Sequence, residues 1–288
     1  MEQQTTTQPI GSTNNALDHI VIPPCPSVLA SVVRETRADD PDFNKISKLV
    51  MADIGLSSAI LASVNSPYYG VSRKVQSIHQ ALVLAGMQAV LQMITRLLLR
   101  QAFPVANGKL MERFWTHSAR AALAVSRLAR EFKAANPETA QTYGLFRDCG
   151  IPVLLMNSEG GLTPEEIRGV QTVHDFHELD KTQLGVDHTF IGHHLASKWF
   201  LPEDVCIAIQ RHHDEAIVTR APSDISSTAL SLIALGDLAD HLAAPVDQAT
   251  LLEDLGNEAA SAMAQLGLSP AEVAELGSDL RGQLADAR

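Results

Sequence analysis

The side chains in this chain that could do chemistry are its eleven histidines and one short run inside an apolar stretch, Arg147-Asp148-Cys149. Imidazoles and carboxylates hold divalent ions and move protons near neutral pH. A guanidinium has no lone pair to give and stays protonated at any working pH, so Arg147 cannot be a ligand. Its planar five-donor fork can instead grip a carboxylate or a phosphate. His212 and His213 are sequence neighbours, about 100° apart on a helix, so one is expected to face inward and the other solvent. His193 and His194 pose the same question. His188 lies a turn or more before that pair, and the set reads as hydrogen-bonded structure rather than as ligands. His174 and His177 flank Asp175 and Glu178 on a polar helix and read as surface. Cys149 suits a small buried position better than a nucleophile's. The sequence has no GxxxxGK[ST] loop, GxGxxG, GxSxG elbow or HExxH, which removes the common nucleotide, hydrolase and zinc-protease signatures.

These residues need a scaffold, and the composition points to helices. Among 288 residues, 45% are apolar and only 5% aromatic, with Ala and Leu dominant. No apolar run approaches the ~20 residues that span a bilayer. The polar start Met1-Glu2-Gln3-Gln4 lacks the order of a secretory signal, so a cytoplasmic location is expected. Cys25, Cys149 and Cys206 are odd in number and far apart, as reduced thiols would be. The net charge of -11 is uneven: residues 1–110 carry 9 basic against 7 acidic side chains, and the remainder 13 against 26. With no basic stripe and an acidic second half, nucleic acid is disfavoured as a partner. The acidic excess reads as solubility.

Helix punctuation divides the chain. Residues 1–16 are polar and aperiodic, as a disordered leader would be. Ile22-Pro23-Pro24-Cys25-Pro26 blocks helix, after which Ser27 is expected to cap. Helices are expected from Asp42 to Ala52 and again after Asp53, ending at the turn Asn65-Ser66-Pro67-Tyr68-Tyr69-Gly70. Ser77-Ile78-His79-Gln80 fits a capping box whose helix stops at Gly86. The run from Met87 to Phe103 is apolar nearly all round, which predicts a central buried helix. Further helices are expected near 111–135, 137–149, 164–180, 187–199, 202–213, 225–243, 247–266 and 269–286. Asn136-Pro137 and Thr163-Pro164 mark two starts as a cap followed by proline. No alternating strand pattern occurs, so the fold class is all-α.

Several of these segments, in unbroken order, resemble the HDOD domain, a bacterial relative of the HD and HD-GYP metal-dependent phosphohydrolases. They are Ile22 to Pro26, Asn65 to Gly70, Ala81 to Gly86, Phe114-Trp115-Thr116-His117-Ser118, Gly144 to Gly150, Gly185 to Gly192, and Trp199-Phe200-Leu201-Pro202 to His212-His213. The resemblance covers roughly residues 20–240 and implies a helical layer packed on an HD-like bundle. The corresponding division is a leader (1–16), an HDOD domain (17–245, with the layer at 17–109 and the bundle at 110–245) and a helical extension (246–288). In that extension Leu251, Leu252, Leu255 and Met263 either cap the core or present a face to a partner or a second copy.

An HD enzyme gathers histidines and carboxylates from separate helices around one or two metals. Carried over by the resemblance, those positions are His117, Arg147, Asp148, His188, His212 or His213, and Asp237. Arg147 stands where the adjacent His of the His-Asp pair would be. Repulsion between a guanidinium and a divalent ion ~4 Å away is at least ~2 kcal/mol even at the screening of bulk water, so no metal is expected. The site is then vestigial, with Arg147 bridging Asp148, Asp237 or another carboxylate. Two other outcomes are that Arg147 binds the phosphate of a nucleotide-like ligand, or that a metal such as Fe, Mn, Zn or Mg survives among His188, His212 or His213, and Asp237. The resemblance thus implies a non-catalytic signal-transduction module that binds another protein, a signalling component. The alternative is a phosphodiesterase or phosphohydrolase acting on a nucleotide.

Overall fold

Capping chemistry lays out the first half of the chain. The computed structural model describes residues 20–66, 71, 74–103, 108–157, 187–214, 217–220, 222–243, 257–273 and 275–277. Helix α1 (Ser27–Thr36) begins directly behind Pro26. Ser27 does not cap it; Pro26 holds the cap position and Ser27 is already helical, because the fixed φ of proline supplies the entry. The Asp42 carboxylate accepts from the Asn44 and Lys45 N–H groups to start α2 (Phe43–Met51), and Asp53 does the same at Leu56 for α3 (Ile54–Val64). At α4 (Ile78–Ala85) the Ser77 hydroxyl takes the Gln80 N–H while the Gln80 side chain accepts from Gln76. Gly86, at φ 87°, ends α4 and opens α5 (Met87–Ala102), a conformation only glycine holds without strain. The expectation of a central α5 buried on all sides is corrected. Val90, Met93, Ile94, Leu98 and Leu99 form one buried face, and Gln88, Arg96 and Arg100 are exposed on the other.

The second half is a bundle of α6 (Gly108–Phe132), α7 (Pro137–Phe146), α8 (Gly150–Asn157), α9 (His188–Lys198), α10 (Glu203–Arg211), α11 (Ile217–Arg220) and α12 (Ser227–Ala243), followed by α13 (Asn257–Leu266). Helix α6 packs on α7 and α12, α9 packs on α8 and α10, and α13 packs on α12 and α11. Two expected boundaries move. The helix drawn over 137–149 ends at Phe146, and a separate helix, α8, follows. Its Pro152 lies in the first turn, where the missing N–H has no intrahelical partner to lose. The helix expected from 247 is seen over Asn257–Leu266. Its Ala259, Ala262 and Met263 are buried against the bundle. The leader, the turn from Pro67 to Gly70, the helix over 164–180 with His174 and His177, and Leu251, Leu252 and Leu255 lie outside the described residues.

One core runs through both halves, with Trp199, Tyr143, Phe114 and Phe146 among its largest fully buried side chains. Each contributes about 2–3 kcal/mol of apolar burial. Phe146 and Trp199 meet edge to face at 6.0 Å. Polar clamps fasten the chain start to the bundle. Asn157 takes the Val21 N–H at 2.7 Å and donates to the Val21 carbonyl at 3.1 Å, the Trp199 indole donates to the Pro23 carbonyl, and Arg37 donates to the Phe200 carbonyl. The described residues contain no strand, and no single helix among them is long and apolar enough to cross a membrane.

Candidate metal centre

Glycine makes the centre possible by letting backbones touch. A methyl group at Gly150 would lie 1.9 Å from the His188 carbonyl oxygen and 2.8 Å from the Gly192 nitrogen. Only glycine at the start of α8 lets α9 approach this closely, and the approach brings His188 beside Asp148. A second contact operates at Gly236 on α12, where an added methyl would meet the Tyr143 hydroxyl at 2.9 Å and the Arg147 Nη1 at 3.2 Å. Arg147 and Asp148 sit in the tight turn between α7 and α8, so their side chains diverge: Arg147 reaches α12, and Asp148 faces α9 and the end of α10.

On the Asp148 side, one donor atom from each of Asp148, His188, His212 and His213 lies within 4.8 Å of all the others. Asp148 Oδ1 is 3.3 Å from His212 Nε2 and 3.5 Å from His188 Nε2, at the outer limit of a hydrogen bond. His188 is 0% exposed, and Asp148 and His212 are buried. The inference that only one of His212 and His213 could face inward is corrected: both imidazoles join the cluster. Helix α10 ends at Arg211, so the two residues occupy a turn in which the 100° helical step does not apply, and their rings lie 4.1 Å apart. His193 and His194 bond to the Cys206 and Phe190 carbonyls and stay outside the quartet.

On the Arg147 side, the buried guanidinium donates to Asp240 at 2.6 Å and to Asp237 at 3.4 Å. The two carboxylates are three residues apart on α12 and share its face. Asp240 was missed in the sequence; its signal is that i+3 spacing from Asp237. His117 lies on α6 outside the quartet, with its Nε2 buried and without a hydrogen-bond partner among the described residues.

The charge states follow from burial and neighbours. Burial alone would raise Asp148, but His188, His212 and Arg147 hold its carboxyl well below the usual range. Burial, opposed in part by Asp148, pushes His212 down. Burial, with His212, His188 and Arg147, pushes His213 far below an ordinary imidazole. Burial works against the charge on Arg147, but Asp240 and the neighbouring acids outweigh it and keep the guanidinium ionised. Burial raises the Tyr143 hydroxyl and the Cys149 thiol, so both stay neutral and neither is a ready nucleophile.

The donor set fits the divalent ion that an HD-like centre would carry. Asp148, His188, His212 and His213 would hold it, and such an ion would supply a positive centre that polarises the groups bound to it. Asp237 is committed to Arg147 and would not join them.

The helical layer, the bundle and a histidine–carboxylate cluster at the α8–α9 contact define the HD-like helical class. Residues 22–215 match the HDOD domain family, and the chain belongs to that family. A crystal structure from Shewanella amazonensis SB2B, provisionally named a phosphohydrolase, superposes with a TM-score of 0.68 at 22% identity, covering 94% of each chain. An HDOD domain protein of unknown function from Geobacter sulfurreducens gives 0.66 at 22% identity, covering 94% of this chain and 95% of that one. A protein from Marinobacter aquaeolei VT8, provisionally named a signal transduction protein, gives 0.64 at 17% identity, covering 98% of this chain and 61% of its own. At these identities the likeness is one of fold. An uncharacterized protein of Treponema pallidum (strain Nichols) is 26% identical over 224 residues, which are 74% of this chain and 41% of that relative's length.

Proposed function

We propose that this chain is a regulatory module that works by binding another protein and does not turn over a phosphodiester. The observation that carries this reading is the buried Arg147 guanidinium bound to Asp237 and Asp240. A permanent cation stands at the position that the resemblance gives to a ligand and holds the carboxylate of Asp237, which argues against a two-metal clamp on a phosphoryl group. An output surface has support in the N-terminal layer. Met51, Ile54, Val83 and Leu84 are exposed on α2, α3 and α4, helices that pack on one another. The partner expected is a signalling component.

The second reading, a metal-dependent phosphodiesterase acting on a nucleotide, is favoured by the four convergent donors on the Asp148 side. Protein purified without chelator and supplied in turn with Fe, Mn, Zn and Mg separates the two when assayed on bis-p-nitrophenyl phosphate and on cyclic dinucleotides. The regulatory reading expects no hydrolysis above the metal-only blank. Turnover that disappears in a His188→Ala variant would overturn it.

A further inference from the structure

We propose that this centre takes one divalent transition-metal ion and not two. Asp148, His188, His212 and His213 bind the ion four-coordinately, and Arg147, clasped by Asp237 and Asp240, is the built-in second cation. The proposal rests on the same Arg147 geometry as the regulatory reading, but it concerns ion capacity rather than catalysis.

Three observations carry it. The first is spacing. Four ligands about 2.1 Å from a tetrahedral ion lie about 3.4 Å from one another along the edges; Asp148 Oδ1 stands 3.3 and 3.5 Å from the Nε2 atoms of His212 and His188, and the four donor atoms all lie within 4.8 Å of one another. The second is the orientation of His212. Its Nδ1 is 2.7 Å from the Ile209 carbonyl, which can only accept, so Nδ1 carries the proton. Nε2 is thereby the ring atom that faces the Asp148 carboxylate oxygen, at a buried site. Asp148 Oδ1 and His212 Nε2 are buried with no hydrogen-bond partner among the described residues, a pair that a shared metal ion would satisfy, and a His Nδ1 bonded to a carbonyl is the usual support of a metal-bound Nε2. The third is charge. One guanidinium stands against three carboxylates, Asp148, Asp237 and Asp240, so the acidic side chains at the centre outnumber its one permanent cation. The exclusion expected from the sequence weighed the guanidinium against the ion alone, and here two carboxylates face Arg147. An imidazole-rich set with one carboxylate selects a borderline ion such as Zn2+, with Co2+ as its spectroscopic substitute, over Mg2+ or Ca2+.

The test strips the full-length protein with a chelator, titrates it with Zn2+ by calorimetry, counts bound ions by elemental analysis and records the visible spectrum of the Co2+ form. Expected are one ion per chain, the intense absorption of four-coordinate Co2+, and loss of saturable binding in His188→Ala and His212→Ala. Arg147→His is expected to raise the capacity to two. No saturable uptake by the wild-type chain, two ions in the wild type, or a six-coordinate Co2+ spectrum would overturn the proposal. So would a folded Arg147→His chain, checked by circular dichroism, that still binds one. The wild-type count and spectrum decide the matter if that variant does not fold. Zero uptake without hydrolysis defeats this proposal and leaves the regulatory reading standing; one ion with turnover does the reverse.

Discussion

At the scale of single residues, the two side chains next to each other in the α7–α8 turn have separate duties. Arg147 holds α12 and Asp148 faces the imidazoles. Removing the guanidinium in Arg147→Met leaves Asp237 and Asp240 facing each other without a cation. The expected loss is about 2 kcal/mol in urea denaturation, below the ~3–5 kcal/mol for a fully buried pair, because Asp240 is 38% exposed and part of its charge is screened. A gain in stability would mean that the pair holds nothing. The histidines set an acid limit. In chelator, His212 and His213 stay neutral in the fold below the pH at which their unfolded counterparts protonate. The unfolded chain then binds more protons, and stability falls as pH drops below about 6.5, by up to about 1.4 kcal/mol per pH unit per histidine. Asp148 adds to the fall only below about pH 4. Denaturation midpoints at pH 7.5 and 5.5 check the sign, and a midpoint that rises on acidification contradicts it. The sequence named the residues that the fold gathers, Asp148, His188 and the 212–213 pair, but expected only one of that pair to face inward, and it named Asp237, which lies on the Arg147 side. The sequence did not show which carboxylate Arg147 would choose. That depends on the face of α12 that turns inward, which packing decides and local spacing does not.

At the scale of elements, Ser77 and Asn136 cap as expected, Ser27 does not, and Asp42 and Asp53 cap helices whose starts were placed without naming a cap. Pattern reading failed where a helix begins on glycine. Gly150 looks like a breaker, yet it opens α8, because the need for close contact with α9 outweighs its poor intrinsic propensity. Gly150→Ala should therefore be costly out of proportion to one methyl. The clash is with backbone atoms that cannot rotate away, so a loss of about 3 kcal/mol is expected, with weaker Zn2+ uptake as His188 is pushed from Asp148. Unchanged stability would show that the helices can separate freely. The same kind of tertiary decision fixed α5, whose apolar sequence read as wholly buried but whose Arg96 and Arg100 side faces solvent.

At the scale of the whole molecule, the N-terminal layer and the bundle share one core and are tied by the clamps at Val21, Pro23 and Phe200. Asn157→Ala removes both bonds to Val21 and should cost about 1 kcal/mol while leaving a single unfolding transition. Two separated transitions by fluorescence and circular dichroism would show that the halves unfold independently. The charge of -11 predicts no salt-sensitive retention of the chain on DNA near physiological ionic strength. The all-α architecture was legible because no segment carried strand alternation, whereas the packing of α13 on α11 and α12 could not be read from helical periodicity alone. The four donors come from three stretches of chain that are tens of residues apart. An ion seated among them would act as a three-way crosslink, restricting the unfolded chain as a disulfide does. Saturation at about a thousand times the dissociation constant would stabilise the fold by about 4 kcal/mol. Zinc limitation would then loosen the molecule as a whole, making cellular metal supply a determinant of how long it survives proteolysis.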